Sequence, residues 1–273
     1  HDPATPDSAL ARLGEVGPRV HVALTGDVLH FDDIEVHPCP LLDRHRWDDP
    51  TASLPPRGTS GNVRVALAHG GVLSFGDTVE QPNRIDPDAV IARGFDYLAL
   101  GDWHGTFRVN ERAWYAGAHE PTRFREQAPG NVLIVDIDRA VAVPRVSTHP
   151  VARTHWQQVT FALDGDVDIA AVEAWFAGLQ RPAWSLAELT LTGVLSLAGR
   201  TRLDRLLADY AERLALLRIE EDAVRAEPGE SDLEAMRGEG FMARALATLR
   251  EDGDPHDAAA LRLMHRLLQE DDG

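Results

Sequence analysis

Short apolar runs separated by turns rich in glycine, proline and aspartate fill about the first 150 residues. Runs of this length predict strands. The two most apolar, Val63 to Ala68 and Tyr97 to Leu100, are typical of buried strands. A short helix is predicted from Pro87 to Arg93, with Gly94 ending it, and residues 48–62 are predicted to form a loop. Further strands are predicted at 20–24, 28–36, 114–116, 132–137 and 141–146.

The pattern changes near Pro150, where longer elements begin. Strands are predicted at 157–163, 186–195 and 216–220, alternating with helices at 168–179 and 203–214. This β-α-β-α-β order indicates a small separate α+β domain. After a linker at 225–230, two helices near 231–250 and 257–268 close the chain. We therefore predict a core at 1–148, a second domain at 149–225 and a helical C-terminal segment at 226–273.

Composition narrows the classes of protein that fit. The chain has 44 acidic and 27 basic residues and a net charge of −17, which argues against strong non-specific binding to DNA phosphates. No apolar run approaches the roughly 18 residues of a membrane span, and the polar N-terminus does not resemble a signal peptide. The lone cysteine, Cys39, excludes an internal disulfide. These features favour a cytoplasmic protein that makes no membrane contact.

Three residues of metal-binding types lie just after the two most apolar strands. His69 comes after the first, and Asp102 and His104 come after the second, each beside glycines that allow sharp turns. In an extended strand, residues two apart point the same way, so Asp102 and His104 are predicted to share a face. Two imidazoles and a carboxylate suit Zn, Mn or Fe. The alternative is three surface loop residues in a chain with 12 histidines.

Four segments of the chain resemble the calcineurin-like metallophosphoesterases in order and spacing. They are His-Gly-Gly at 69–71, Tyr-Leu-Ala-Leu-Gly-Asp-Trp-His-Gly at 97–105, Tyr-Ala-Gly-Ala-His-Glu-Pro-Thr-Arg-Phe at 115–124 and Gly-Asn-Val-Leu-Ile-Val at 130–135. The likeness is strongest to the SbcD-type branch, the nuclease subunits of bacterial DNA-repair exonucleases. It implies an α/β (α+β) fold: a partial four-layer αββα core with a small α+β capping domain and a helical tail.

The resemblance also implies a site for two divalent metals, which would activate a water and neutralise the phosphate. His69 and Asp102 match ligands of the second metal, and His104 matches a ligand of the first. Asp102 stands where the family usually has histidine, and its carboxylate favours Mn or Mg over Zn, with Fe also compatible. His1-Asp2 resembles the end of the family's Gly-Asn-His-Asp signature. His1 would then assist the leaving group, and Asp2 would orient it.

Two residues beside these ligands are candidates for substrate contact. Arg123 could bind a phosphate or form a structural ion pair, and Trp103 could stack on a base or pack in the fold. The resemblance implies DNA ends as substrate and an SMC-like ATPase as partner subunit, and it leaves a homodimer open. We therefore expect a phosphodiester hydrolase, specifically a DNA-repair exonuclease or endonuclease subunit.

The remaining ligands of the family would precede His1. They are an Asp-x-His motif, a bridging aspartate and an asparagine, so we expect a missing N-terminal segment and little activity from this chain alone. One alternative is a non-catalytic scaffold or regulatory protein that keeps the phosphoesterase fold. Another is a copper-binding protein, because an N-terminal histidine such as His1 can chelate copper through its amino group and ring.

Overall fold

The described residues of a computed structural model, 12–13, 16–41, 47–72 and 82–227, form mixed α and β structure. The chain divides into two compact units, with the boundary between Arg153 and Thr154. The α/β (α+β) class predicted from the sequence is confirmed. The two predicted C-terminal helices lie outside the described residues. No helix in the described part of the chain is both long and apolar enough to cross a membrane.

The first unit is built mainly from short strands. In chain order its elements are β1 (Leu29–Phe31), β2 (Ile34–Cys39), β3 (Val63–His69), β4 (Gly71–Val72), β5 (Arg84–Ile85), α1 (Pro87–Ala92), β6 (Tyr97–Gly101), β7 (Phe107–Arg108), β8 (Ala113–Tyr115), β9 (Asn131–Asp136) and β10 (Arg145–Pro150). Six strands form one sheet in the order β1-β2-β3-β6-β8-β7, while β9 and β10 form an antiparallel pair. Within the six-stranded sheet β2, β3, β6 and β8 run parallel.

One face of the six-stranded sheet forms the buried core of this unit. Ala66, Leu98, Ala113 and Tyr115 are fully buried and cluster with Val90 of α1. The helix begins where the Asp86 carboxylate accepts hydrogen bonds from the backbone N–H groups of residues 88 and 89. It ends at Ala92, and Gly94, with a φ of +86°, turns the chain out of the helix.

The opposite face of this sheet is more open and faces the antiparallel pair β9–β10. Leu67 on this face is 48 % exposed. Val65 and Ala99 line a cavity of about 430 Å³ together with Val135 and Ile137, which belong to β9 and its continuation. The layers of this unit are therefore α1, the six-stranded sheet and the β9–β10 pair.

Asp96, directly before β6, joins three separated segments of the first unit. Its side chain is buried and accepts hydrogen bonds from Arg57 Nη2 at 2.6 Å, Arg64 N at 2.8 Å and Val141 N at 2.6 Å. Burying a carboxylate is unfavourable unless it is paired and hydrogen-bonded, and these donors meet that requirement.

Three strand predictions in this unit were wrong in whole or in part, and a turn accounts for two of them. Residues 28–36 form a hairpin, β1 and β2, because the chain turns at Asp32, which has a φ of 48°. The segment 20–24 has no strand structure. The strand predicted at 141–146 begins only at Arg145, since Val141 has a φ of 64° and its carbonyl accepts a hydrogen bond from Arg112.

The second unit has the predicted β-α-β-α-β order. Its elements are β11 (His155–Leu163), α2 (Ile169–Ala177), β12 (Ser185–Leu195), α3 (Leu197–Arg213) and β13 (Leu216–Ala226), with the strands parallel in the order β11-β12-β13. Leu189 and Phe176 are buried in its core, where Phe176 stacks on Tyr210 at 4.2 Å between ring centroids. Trp184 is 41 % exposed. The 3₁₀ turn that contains it lies ahead of β12.

Candidate metal centre

His69 and Asp102 meet at the carboxyl ends of two neighbouring parallel strands. His69 is the last residue of β3 and pairs in register with Gly101, the last residue of β6. The Nε2 atom of His69 lies 3.6 Å from Oδ1 of Asp102, and the two side chains are 53 % and 57 % exposed. The sheet therefore brings together two of the three sequence-predicted metal ligands at a solvent-accessible edge, where open α/β sheets place ligands.

Close backbone packing holds the two strand ends in place. The Gly70 N–H donates to the carbonyl of Gly101 at 3.2 Å, and the hydroxyl of the buried Tyr115 donates to the Gly70 carbonyl at 2.6 Å. A Cβ atom at Gly70 would stand 2.1 Å from the Asn83 carbonyl oxygen, so only glycine fits there. Burial of Tyr115, assisted by the negative charge of Asp102, raises the pKa of its phenol. Tyr115 therefore remains a hydrogen-bond donor at neutral pH.

Asp102 has a strained backbone. Its φ of 109° lies in a region that residues other than glycine rarely adopt. Strain of this kind costs about 1–3 kcal/mol and tends to occur at functional sites. The strand-alternation argument for Asp102 and His104 was wrong, because β6 ends at Gly101 and the chain bends immediately afterwards. Each of the two residues instead has its own acidic or basic partner.

His104 pairs with Glu126, a residue outside the set predicted from the sequence. Nδ1 of His104 lies 2.5 Å from Oε1 of Glu126 and 3.3 Å from the Thr122 hydroxyl. The Glu126 side chain is only 3 % exposed, whereas that of His104 is 44 % exposed. Thr122 donates to Glu126 from both its hydroxyl, at 2.6 Å, and its backbone N–H, at 2.7 Å. No local feature of the sequence near Glu126 predicts this pair, because its partner lies 22 positions away.

Glu126 is held as a carboxylate. Its burial opposes ionisation, but hydrogen bonds from Thr122, His104 and Arg123 outweigh that effect and lower its pKa to about 2. The carboxylate is thus negatively charged at any physiological pH.

The other predicted site residues are placed as follows. Arg123 forms an ion pair with Glu126, with Nε at 3.3 Å from Oε1, and its side chain is 68 % exposed. Trp103 is 41 % exposed. His1 and Asp2, and with them the copper chelate, lie outside the described residues.

An apolar cavity of about 510 Å³ adjoins the two strand ends. His69 and Gly101 contribute to its lining, and its walls include Leu29, Val36 and Leu67. Apolar walls do not compensate the desolvation of a charged phosphate. The cavity itself is therefore unsuited to a charged group.

The distances allow one direct comparison with metal coordination. Two ligands that each lie roughly 2.1 Å from an ion at angles of roughly 90–110° are about 3.0–3.4 Å apart. The 3.6 Å between His69 and Asp102 is close to that separation. Within the part of the chain that the structure describes, no group of three or more His, Cys, Asp or Glu side chains is arranged to hold a metal ion. The separation of His69 and Asp102 is therefore one that two ligands of a single ion could adopt, without a third ligand among the described residues.

Comparison with models of known protein families gives no match to this chain, and no curated protein matches it significantly.

Proposed function

We propose that this chain carries part of the metal centre of a phosphodiester hydrolase of the calcineurin-like metallophosphoesterase type, acting on DNA ends. The main observation is the 3.6 Å approach of His69 to Asp102 at the carboxyl ends of adjacent parallel strands. His104 follows on the same loop, held through Nδ1 by Glu126. His69, Asp102 and His104 thus belong to the segments that resemble the family, and Glu126 lies two residues after one of them.

The layer arrangement supports the same proposal at the level of the fold. A helix covers one face of the six-stranded sheet, and the β9–β10 pair lies toward the other. Such an order is compatible with three of the four layers of an αββα core. The second unit, with its three-stranded parallel sheet and two helices, would be the capping domain.

Within this proposal His69 and Asp102 hold the second metal and His104 holds the first. When bound, the two ions would supply an activated water and neutralise charge on the phosphate. The carboxylate of Asp102 makes Mn the preferred ion, with Mg, Fe and Zn as alternatives. Arg123, whose guanidinium is largely exposed, would contribute a phosphate contact, and Trp103 a stacking surface for a base.

The net charge of −17 affects how tightly the protein would bind DNA and whether it would need a partner subunit. An acidic protein gains little from counterion release on DNA, so a partner subunit has to supply most of the affinity for the polymer. An SMC-like ATPase would do so in the proposed assembly.

Metal binding tests the proposal most directly. Titration of the 273-residue chain with Mn²⁺, followed by electron paramagnetic resonance, should show weak binding that His69→Ala and Asp102→Ala each reduce. The matched control is His155→Ala, which removes an exposed histidine from β11 and should leave binding unchanged. Equal binding by all four proteins would refute the assignment of these ligands.

Hydrolysis is tested separately with a chromogenic phosphodiester and a blunt DNA end. Three ligands divided between two metals should give negligible turnover, so the chain is assayed alone and with a polypeptide that carries the family's Asp-x-His, bridging aspartate and asparagine motifs. Mn²⁺-dependent turnover in the mixture, lost in His104→Ala, is the expected result. Mn²⁺ binding without turnover in either assay would instead favour a non-catalytic scaffold.

A further inference from the structure

Hydrogen bonds to both oxygens hold the carboxylate of Glu126 in place. Thr122 donates to Oε1 through its hydroxyl and to Oε2 through its backbone N–H, and Arg123 Nε lies 3.3 Å from Oε1. Only 3 % of the side chain is exposed. The short segment between Thr122 and Glu126 therefore presents a fixed acceptor oxygen to His104.

We propose that Glu126 is a positioning residue that holds His104 in the Nδ1–H tautomer and leaves the Nε2 lone pair directed to solvent. A carboxylate has no proton to donate, so the ring must donate at the 2.5 Å contact between Nδ1 and Oε1. Thr122 uses its hydroxyl proton on Glu126, so its oxygen can only accept from the same Nδ1–H at 3.3 Å. Both contacts require the same tautomer.

The tautomer determines what chemistry the His104 ring can perform. The hydrogen bond a histidine makes at one nitrogen decides which nitrogen can bind a metal or accept a proton. Among the described residues both contacts of the His104 ring are to Nδ1, and the side chain is 44 % exposed. Nε2 is consequently available without a rearrangement. Its use as a metal ligand depends on the proposed function, but the tautomer itself does not.

Nuclear magnetic resonance of the metal-free, ¹⁵N-labelled chain at about pH 8 tests the tautomer. Long-range ¹H–¹⁵N correlations distinguish protonated from unprotonated ring nitrogens, and His104→Ala identifies the His104 signals by their loss. We expect Nδ1 protonated and Nε2 unprotonated, in contrast to the exposed His155, which should resemble a histidine in a free peptide. An Nε2–H form or an equal mixture at His104 would overturn the proposal.

Two variants test whether Glu126 fixes the His104 tautomer or only stabilises the loop around it. Glu126→Ala should shift His104 toward the distribution seen for His155, whereas Thr122→Val, which removes one hydroxyl but keeps the carboxylate, should retain the Nδ1–H form. A tautomer unchanged in Glu126→Ala would also overturn the proposal. If that variant fails to fold, the wild-type and Thr122→Val spectra still decide the question.

Mn²⁺ binding then connects the tautomer to the metal centre. Loss of a partner that orients a metal-binding histidine typically lowers metal affinity 10- to 100-fold. We expect Glu126→Ala to lower Mn²⁺ affinity by about that factor and to have no further effect in a His104→Ala background. A correct tautomer with no change in Mn²⁺ affinity would leave the positioning role intact and count against the proposed function.

Discussion

Replacement of Asp102 by glycine tests whether strain is stored at the candidate site. Asp102 has a φ of 109°, and relief of such strain is worth about 1–3 kcal/mol. Two smaller effects oppose the gain. Loss of the exposed contact with His69 costs about 0–1 kcal/mol, and the greater freedom of glycine in the unfolded chain costs about 0.4–1 kcal/mol. We therefore expect Asp102→Gly to raise the free energy of unfolding by about 1 kcal/mol.

The comparison with Asp102→Ala isolates the backbone contribution. Both variants lose the carboxylate, but alanine retains the strain. Glycine should accordingly be the more stable of the two, which reverses the usual order, in which glycine is worse than alanine by about 0.5–1 kcal/mol. Asp33 is the matched control, because it is exposed in the turn between β1 and β2 and is not among the positive-φ residues of the described chain. Asp33→Gly should be less stable than Asp33→Ala.

Urea unfolding monitored by tryptophan fluorescence gives the free energies of unfolding of wild type and the four variants. Mn²⁺ titration shows whether both Asp102 variants lose metal affinity equally. A glycine variant less stable than the alanine variant at position 102 would refute the strain argument. Equal Mn²⁺ affinity in wild type and both variants would show that the carboxylate is not a ligand.

Three further predictions concern buried groups in the first unit. Asp96→Ala should lower the free energy of unfolding by about 3–5 kcal/mol, since it leaves buried cationic and N–H donors without their acceptor, and Asp96→Asn should cost less; urea unfolding measures both. Burial, with a contribution from Asp49, raises the pKa of Cys39 from 9.0 to about 11, which reduces its thiolate fraction at pH 8 about 100-fold. Its reaction with a disulfide reagent should therefore be slow in the folded protein and fast in urea, and rapid labelling of the folded chain would contradict the burial. Burial also lowers the pKa of His37 below its ordinary 6.5. The unfolded chain then binds that proton more readily, so the stability His37 contributes is present above pH 6.5 and declines as the pH falls through its lower folded pKa. Wild type compared with His37→Gln between about pH 5 and 8 should show this difference, and parallel curves would exclude it.

The local sequence pattern was sufficient to predict those strands and helices that are specified by residues nearby in the chain. The apolar run before His69 became β3, and the run before Gly101 became β6. Asp86, Pro87 and Gly94 set the ends of α1. In the second unit the alternation of elements was correct, although β13 extends to Ala226, beyond the predicted end. In each case the deciding interactions span only a few residues.

The same local pattern could not predict which side chains pair with one another. The carboxylate partner of His104 lies 22 positions away, and nothing in the composition of residues 122–126 links that segment to the loop after β6. Val141 was predicted to be in a strand because it begins a short apolar run, but contacts with Asp96 and Arg112 hold it in a turn. Tertiary hydrogen bonds are worth more there than the local preference.

The sequence alone determined that His69 and Asp102 would lie at strand ends, because an apolar run predicts a strand and the residue after it marks the end. Only the tertiary structure decided that β3 and β6 are parallel neighbours, and therefore that these two side chains lie 3.6 Å apart. It also decided that Asp102 has a positive φ and that His104 turns toward Glu126. The physical reason is that local periodicity reports which face of an element is buried, whereas strand order and loop direction depend on hydrogen bonds between residues far apart in the chain.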